Sequence, residues 1–220
     1  AEEHCQAALA VYEKLGLARE QADCWMNIGI AQRGRGDTEA SLDALERACG
    51  LYRKLARTAT GGGRRWAPEP MYRAEAQMAQ TLRVRGRPDD PYSAYRHLAR
   101  AVGIIEHLRA RAASTTELRT AYFAAMSWVY DEIIDLLVGM QDTGVPLVAE
   151  RMQEDEPGYW EDLGLLAPRL WADWASYAEA ILHYSDASRA RVLQELLSNR
   201  RVALADAATA ELHRRWTALM

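Results

Sequence analysis

Part of the sequence repeats itself at an interval of forty residues. Five positions of the first copy reappear in the second with the same or a similar residue: Ala8, Val11, Tyr12, Lys14 and Leu15 return as Ala48, Leu51, Tyr52, Lys54 and Leu55. A fixed period of this length is typical of stacked helical hairpins, because one hairpin cannot bury its apolar face alone. We therefore expect an all-α fold, an α-solenoid of antiparallel helical hairpins.

A motif between the two copies indicates how such a hairpin is packed. It consists of Trp25-Met26-Asn27-Ile28-Gly29, then Gly36-Asp37, then Ser41, Leu45 and Ala48. Small residues are needed where the two helices touch, so Gly29 and Ser41 are expected at that contact. Three larger side chains are expected to fill the seam beside it: Trp25, Ile28 and Leu45. The spacing is similar to that of the tetratricopeptide repeat (TPR), although Gln32 stands where that family usually has Tyr.

A third, weaker copy follows, in which residues 78–105 correspond to residues 28–52. Its matching positions, with three extra residues inserted at the turn, are Met78, Ala79, Gly86, Ala94, Leu98, Ala101 and Ile105. Two aspartates carry helix-start signals. Asp37 is placed to cap the helix that follows it, and Asp90 precedes Pro91, a residue favoured at the first helical position. Both are therefore expected to act as helix caps.

The second half of the chain carries a more specific order of motifs. Its most distinctive segment is residues 188–197, Ser-Arg-Ala-Arg-Val-Leu-Gln-Glu-Leu-Leu, which follows related segments at 101–109, 117–123 and 129–137. Together they resemble the helical region of CHAT-domain proteins, caspase-related peptidases associated with TPRs. The resemblance covers about residues 8–200. It implies a non-catalytic scaffold for protein–protein interaction, which recruits partners or substrates for a CHAT peptidase domain located downstream of this chain.

These observations divide the chain into two parts. Residues 1–112 are expected to hold TPR-like repeats, and residues 113–220 to continue the helical region. Apolar residues at steps of three and four predict one helix from about Leu118 to Met140. Prolines, glycines and an acidic run predict an irregular insertion at about 141–169. Because the chain starts inside a repeat without Met and stops within an amphipathic pattern, we expect a piece of a longer protein.

Charge and hydropathy disfavour several classes of partner. The 27 basic and 31 acidic residues give a net charge of −4, the wrong sign for binding nucleic acid through its phosphates. There is no apolar run of about 18 residues, and the first residues lack the basic-then-apolar order of a signal peptide. We therefore expect a cytoplasmic chain with no nucleic-acid or membrane partner.

Candidate catalytic and metal-binding residues are sparse. A CHAT peptidase requires a Cys nucleophile beside a His base, whereas Cys5, Cys24 and Cys49 are expected to be reduced core residues of helices. His97 and His107 are ten residues apart, which places them on different helix faces and favours exposed or capping roles. We therefore predict no catalytic residue, no metal site and no cofactor.

Two further groups have both a structural and a ligand-binding interpretation. The acidic residues between Glu150 and Asp162 lack the glycine and ligand spacing of an EF-hand calcium loop, so a solvated acidic loop is favoured. Trp171 and Trp174 stand at helical spacing, which favours packing in a core over stacking on a ligand.

One face of the predicted hairpins is the candidate binding surface, because the first helix of each hairpin lines a concave groove in such folds. The positions expected there are Met26, Asn27, Ile30, Arg33, Arg73, Gln77, Gln80 and Arg83. Their mixture of apolar, amide and arginine side chains favours an extended or helical peptide of some acidic character. The alternative is a sensor, in which the helical-repeat domain binds a small molecule or signalling peptide and relays the signal to an attached effector.

Overall fold

A computed structural model describes residues 2–62, 69–111, 126–153, 158–165 and 174–199. Within these ranges the regular secondary structure is entirely α-helical. The helices, in chain order, are α1 (Glu2–Leu15), α2 (Ala18–Gly34), α3 (Thr38–Gly62), α4 (Glu69–Arg85), α5 (Asp90–Arg111), α6 (Trp128–Asp142), α7 (Ala149–Gln153), α8 (Tyr159–Asp162) and α9 (Tyr177–Asn199).

Helices that follow one another along the chain pack against one another. This holds for α1 to α6 in succession, and α6 in turn packs against α9. The helix α2 also contacts α4, while the short helices α7 and α8 lie against α5 and α3. Because short turns join α2 to α3 and α4 to α5, these two pairs form helical hairpins. The sequence therefore predicted the helical class correctly.

The close approach of α2 and α3 depends on Gly29. A Cβ atom at this position would lie 2.8 Å from Cγ of Leu45 and 3.0 Å from the carbonyl oxygen of Ser41. Ile28 and Leu45 are buried beside it, and Trp25 is partly buried against the core. The predicted small-residue contact and its apolar seam are confirmed.

The turns of the two hairpins match at the glycines that the repeat aligned. Gly36 and Gly86 have φ angles of +85° and +70°, a backbone conformation that residues with a side chain rarely adopt. Asp37 caps α3 as predicted, since the amide of Ala40 donates to its Oδ1 at 3.2 Å. The carboxylate of Asp90 instead accepts hydrogen bonds from the Arg85 side chain and the Arg87 amide, so its predicted capping role is wrong.

The long helix predicted over about 118–140 does not run through Met126 and Ser127. The helix α6 begins at Trp128, after a turn formed by Met126 and Ser127. The earlier part of the prediction lies outside the described residues. The apolar spacing is confirmed within α6, where the predicted positions Val129, Ile133, Leu136 and Met140 are all buried.

The segment predicted as an irregular insertion contributes to the core. The helices α7 and α8 lie within it. Several of its side chains are buried: Met152, Tyr159, Trp160, Leu163 and Leu165. The expectation of a solvated loop therefore fails for residues 158–165, because their aromatic and leucine side chains gain more from burial than a loop at the surface would allow.

Most buried side chains belong to one continuous core that extends from α2 to α9. The three cysteines are free thiols, with Cys24 and Cys49 buried and Cys5 half-buried. Burial raises the pKa of the Cys49 thiol well above its ordinary value. In the described ranges, no helix combines the length and apolar character that crossing a membrane requires.

Candidate functional site

The predicted binding face combines exposed, half-buried and buried side chains. Asn27 and Arg73 are exposed, whereas Ile30 is half-buried and packs against the core. Met26 is only 6 % exposed and belongs to the core, so the prediction that it lines a surface groove is wrong. The reason is that α2 packs against α4 as well as α3, and the extra contact covers this side of the helix.

The remaining polar residues of the face form two groups of hydrogen bonds that join α2 to α4 and α4 to α6. Nη1 of Arg33 on α2 donates to the carbonyl oxygen of Gln77 on α4 at 3.1 Å. Nε2 of Gln80 donates to Oε1 of Glu132 on α6 at 2.9 Å, and Nη1 of Arg83 donates to the other oxygen of Glu132 at 2.5 Å. We call Arg33, Gln77, Gln80, Arg83 and Glu132 the polar strip.

The polar strip connects three helices that are distant in sequence. Arg33 joins α2 to α4, and Glu132 joins α4 to α6. Partial burial lowers the pKa of Arg33, and the nearby charge of Glu132 partly opposes this change. The structure thus joins Arg33 to Gln77, and it joins Gln80 to Arg83 through Glu132, a residue that the sequence analysis did not identify.

A second polar cluster lies at the contact between α4, α5 and α8. Glu75 on α4 is only 2 % exposed. Its Oε2 lies 2.6 Å from Nδ1 of His97, and its Oε1 accepts a hydrogen bond of 2.7 Å from the phenol of Tyr159. The guanidinium of Arg100 lies 4.4 Å from the centre of the Tyr159 ring. We call these four residues the buried cluster.

Electrostatics within the buried cluster favour an ionised Glu75. Burial alone would raise the pKa of this carboxyl, but the hydrogen bond and charge of His97, with help from Arg100 and Tyr159, hold the pKa below its ordinary value. His97 is therefore a partner of a buried carboxylate, and the prediction that it is exposed or caps a helix is wrong. The Tyr159 hydrogen bond to Glu75 therefore joins α8 to α4 in the interior.

An ion-pair group fixes α8 to α3 next to the buried cluster. Asp162 accepts from Nη2 of Arg53 at 2.7 Å and from Nε of Arg57 at 2.6 Å. The two arginine side chains lower the pKa of Asp162 to about 2. Asp162 is thus engaged in a structural contact, whereas Glu150 and Glu161 of the same acidic stretch are exposed.

The aromatic residue Trp174 packs as the sequence predicted. It lies against the core, its Nε1 donates to the Tyr95 hydroxyl at 3.4 Å, and its ring is 4.8 Å from that of His183. Trp171 lies outside the described residues. Across those ranges, no group of three or more His, Cys, Asp and Glu side chains is placed to hold a metal ion.

Comparison with known proteins identifies no relative of this chain. No protein-family model matches the chain, and searches of curated proteins and of solved structures give no match either. The function must therefore be argued from the residues and their geometry.

Proposed function

We propose that this chain is a non-catalytic helical-repeat scaffold that binds a protein or peptide partner along the face carrying the polar strip. In this proposal the hairpins form an α-solenoid of TPR type, similar to the region that precedes a CHAT peptidase domain. The observation that carries the proposal is the side-by-side arrangement of α2, α4 and α6 through Arg33, Gln80, Arg83 and Glu132. Extended faces built from corresponding helices are what repeat proteins use to bind partners.

A buried contact between α3 of the first hairpin and α4 of the second supports the stacked arrangement. The hydroxyl groups of Ser41 and Thr81, forty residues apart, lie 3.1 Å from each other in the interior. Thr81 also donates to the carbonyl oxygen of Gln77 in its own helix at 2.9 Å. This buried contact joins the second helix of the first hairpin to the first helix of the next, as the proposed stacking requires.

Two of the exposed members of the face, Asn27 and Arg73, are the best points for contact with a partner. Asn27 on α2 and Arg73 on α4 are exposed, while Arg33 and Arg83 already bind groups of the chain itself. A charge reversal at Arg83 would place two carboxylates together and disturb the fold. Variants of Arg73 therefore test binding without removing an internal ion pair described for this chain.

The test uses the full chain as immobilised bait in an extract of cells that produce it, with retained proteins identified by mass spectrometry. We expect one or more partners to be retained, and Arg73→Glu to reduce retention by about fivefold, the effect of about 1 kcal/mol at a partly exposed ionic contact. The control is Lys54→Glu, which makes the same charge change at an exposed position of α3. Equal retention by the wild type and both variants would remove this face from consideration.

The link to a CHAT peptidase has its own test in the gene beyond the codon of Met220. We expect His and Cys residues at the ends of successive strand-like segments, since the nucleophile and base of such a peptidase must meet. A downstream sequence without this pattern would end the CHAT part of the proposal and leave the scaffold part standing.

A further inference from the structure

A cleft of about 190 Å³ opens next to the polar strip, where the end of α4, the start of α5 and the second half of α6 meet. Its floor is apolar and consists of Leu82, Pro91, Leu136 and Met140. Three of these side chains belong to the core, so the floor is fixed by packing. The cleft is smaller than the cavities of about 300–1,000 Å³ that usually hold small-molecule ligands, and it suits a single side chain.

Two glycines leave the sides of the cleft open. Gly86 and Gly139 both line it, and a Cβ atom added at either position would meet no heavy atom within 4 Å. A larger residue at position 139 would therefore project into free space. A substitution of Gly139 by a larger residue can therefore fill the cleft without overpacking the protein.

The unpaired charge at the rim of the cleft is negative. The cation Arg83 is already bound to Glu132, and the carboxylate of Asp90 is already bound to Arg85. Asp135 also lines the cleft and is exposed, and no other side chain in the described ranges forms an ion pair or hydrogen bond with it. Asp131, one helical turn earlier, is exposed as well. A group bound in the cleft would therefore contact the apolar floor and lie close to the Asp135 carboxylate.

We propose that this cleft binds a lysine or arginine side chain of a partner polypeptide, with the aliphatic stem on the apolar floor and the cationic group at Asp135. Long basic side chains pack their methylene groups on apolar surface while the charged end remains at the edge. The proposal rests on the scaffold function and gives it a chemical preference, a basic segment. Acidic residues elsewhere in the partner, which the sequence analysis expected, would contact Arg73, because the arginines Arg33 and Arg83 are already engaged.

The test is an NMR titration of the isotope-labelled full chain with three blocked pentapeptides that differ only at the central residue, flanked by alanines. The central residue is lysine, norleucine, which has the stem without the charge, or glutamate. We expect the lysine peptide to shift the amide signals of Gly86 and Gly139, the norleucine peptide to bind about threefold to fivefold more weakly, and the glutamate peptide to bind least. No shift with the lysine peptide, or equal binding of the glutamate peptide, overturns the proposal.

Two pairs of variants locate the binding. Gly139→Leu should abolish the shift at Gly86, while Gly50→Leu, at an exposed helical position that is equally open, should leave it unchanged. Asp135→Asn should make the lysine and norleucine peptides equal, while Asp43→Asn on α3 should not. Lysine binding that survives Gly139→Leu in a folded variant places the site elsewhere and defeats the proposal.

If Arg73→Glu reduces partner retention but the lysine peptide does not bind, the scaffold function stands and the cleft proposal alone fails.

Discussion

The phenol of Tyr159 donates a hydrogen bond of 2.7 Å to Glu75, a residue 84 positions earlier in the chain. Both side chains are almost completely buried, at 1 % and 2 % exposure. Burial, reinforced by the charge of Glu75, raises the pKa of Tyr159 well above its ordinary value, so the phenol stays protonated and remains the donor. This bond fixes residues 158–165 on the helical hairpins and makes them part of the domain.

Removing this hydroxyl should destabilise the protein. Tyr159→Phe keeps the ring that packs beneath Arg100 but leaves one oxygen of a buried carboxylate without its donor. We expect the free energy of unfolding to fall by about 1–3 kcal/mol, measured by urea denaturation. The control is Tyr12→Phe, because Tyr12 is only half-buried and should change the value by less than about 0.5 kcal/mol. Equal effects of both substitutions would contradict the structural role of the Tyr159 bond.

The ion-pair group at Asp162 predicts a specific dependence of stability on pH. Its folded-state pKa of about 2 lies below the ordinary value of 3.8, so the carboxylate contributes stability above about pH 4 and loses it as the pH falls towards 2. Since Arg57 is largely exposed, with 60 % of its side chain accessible, we expect a reduced effect of about 1 kcal/mol.

The measurement is urea unfolding of the wild type and of Asp162→Asn between pH 7 and about pH 3. The wild type should be the more stable protein at pH 7, and the difference should shrink as the pH falls, because the unfolded chain takes up a proton at this carboxylate at a higher pH than the folded protein does. Asp43→Asn, at an exposed aspartate of α3, is the matched control and should follow the wild type throughout. A constant difference across the pH range would show that the Asp162 charge does not act in this way.

The features that sequence reasoning identified are local or periodic. The third, weaker copy of the repeat aligned Gly86 with Gly36, and the structure gives both the same left-handed conformation at corresponding turns. The same spacing placed Gly29 at the contact between α2 and α3, where a Cβ atom would lie 2.8 Å from Cγ of Leu45. In each case the information lies within one hairpin or in the comparison of two hairpins, where chain geometry is nearly fixed.

The features that were missed depend on contacts between distant segments. Glu75 and Tyr159 form no pattern along the chain, and the prolines, glycines and acidic residues around Tyr159 are typical of a loop. In the sequence, Asp162 is one carboxylate of an acidic run, and only the position of α8 in the fold brings it beside Arg53. Glu132 was missed for the same reason, since the register of α6 against α4 is set by packing. Met26 shows the opposite error, because helical position alone does not reveal how deeply a neighbouring helix covers a side chain.

The contact between α2 and α3 predicts a large effect of the smallest substitution at Gly29. Gly29→Ala adds a methyl group 2.8 Å from Cγ of Leu45 and 3.0 Å from a backbone oxygen. The helices must move apart to admit it, and we expect a loss of about 1–3 kcal/mol in urea denaturation. Gly50→Ala makes the same change in α3 where a Cβ atom meets nothing within 4 Å. This control should be neutral or should stabilise by up to about 1 kcal/mol, and a similar loss at both sites would refute the steric explanation.

The neighbouring aspartates Asp90 and Asp89 differ in burial and in the number of hydrogen bonds that their carboxylates accept. Asp90 accepts from Nη2 of Arg85 at 2.6 Å, from Nε of Arg85 at 3.0 Å and from the amide of Arg87 at 2.8 Å, with 4 % of its side chain exposed. Burial would raise the pKa of Asp90, but these hydrogen bonds hold the pKa below its ordinary value. Asp90→Asn removes the charge and turns an amide group towards Arg85, and we expect a loss of about 2–4 kcal/mol.

The adjacent Asp89 is 81 % exposed in its side chain and forms one ion pair, at 2.5 Å, with Arg151. Asp89→Asn should therefore change the free energy of unfolding by less than about 1 kcal/mol, because a solvated ion pair contributes little. Both variants alter one oxygen of an aspartate in the same turn, so expression, purification and overall charge are matched. If urea denaturation gave the two variants the same stability, the burial of the Asp90 carboxylate beside Arg85 would not be what holds the turn between α4 and α5.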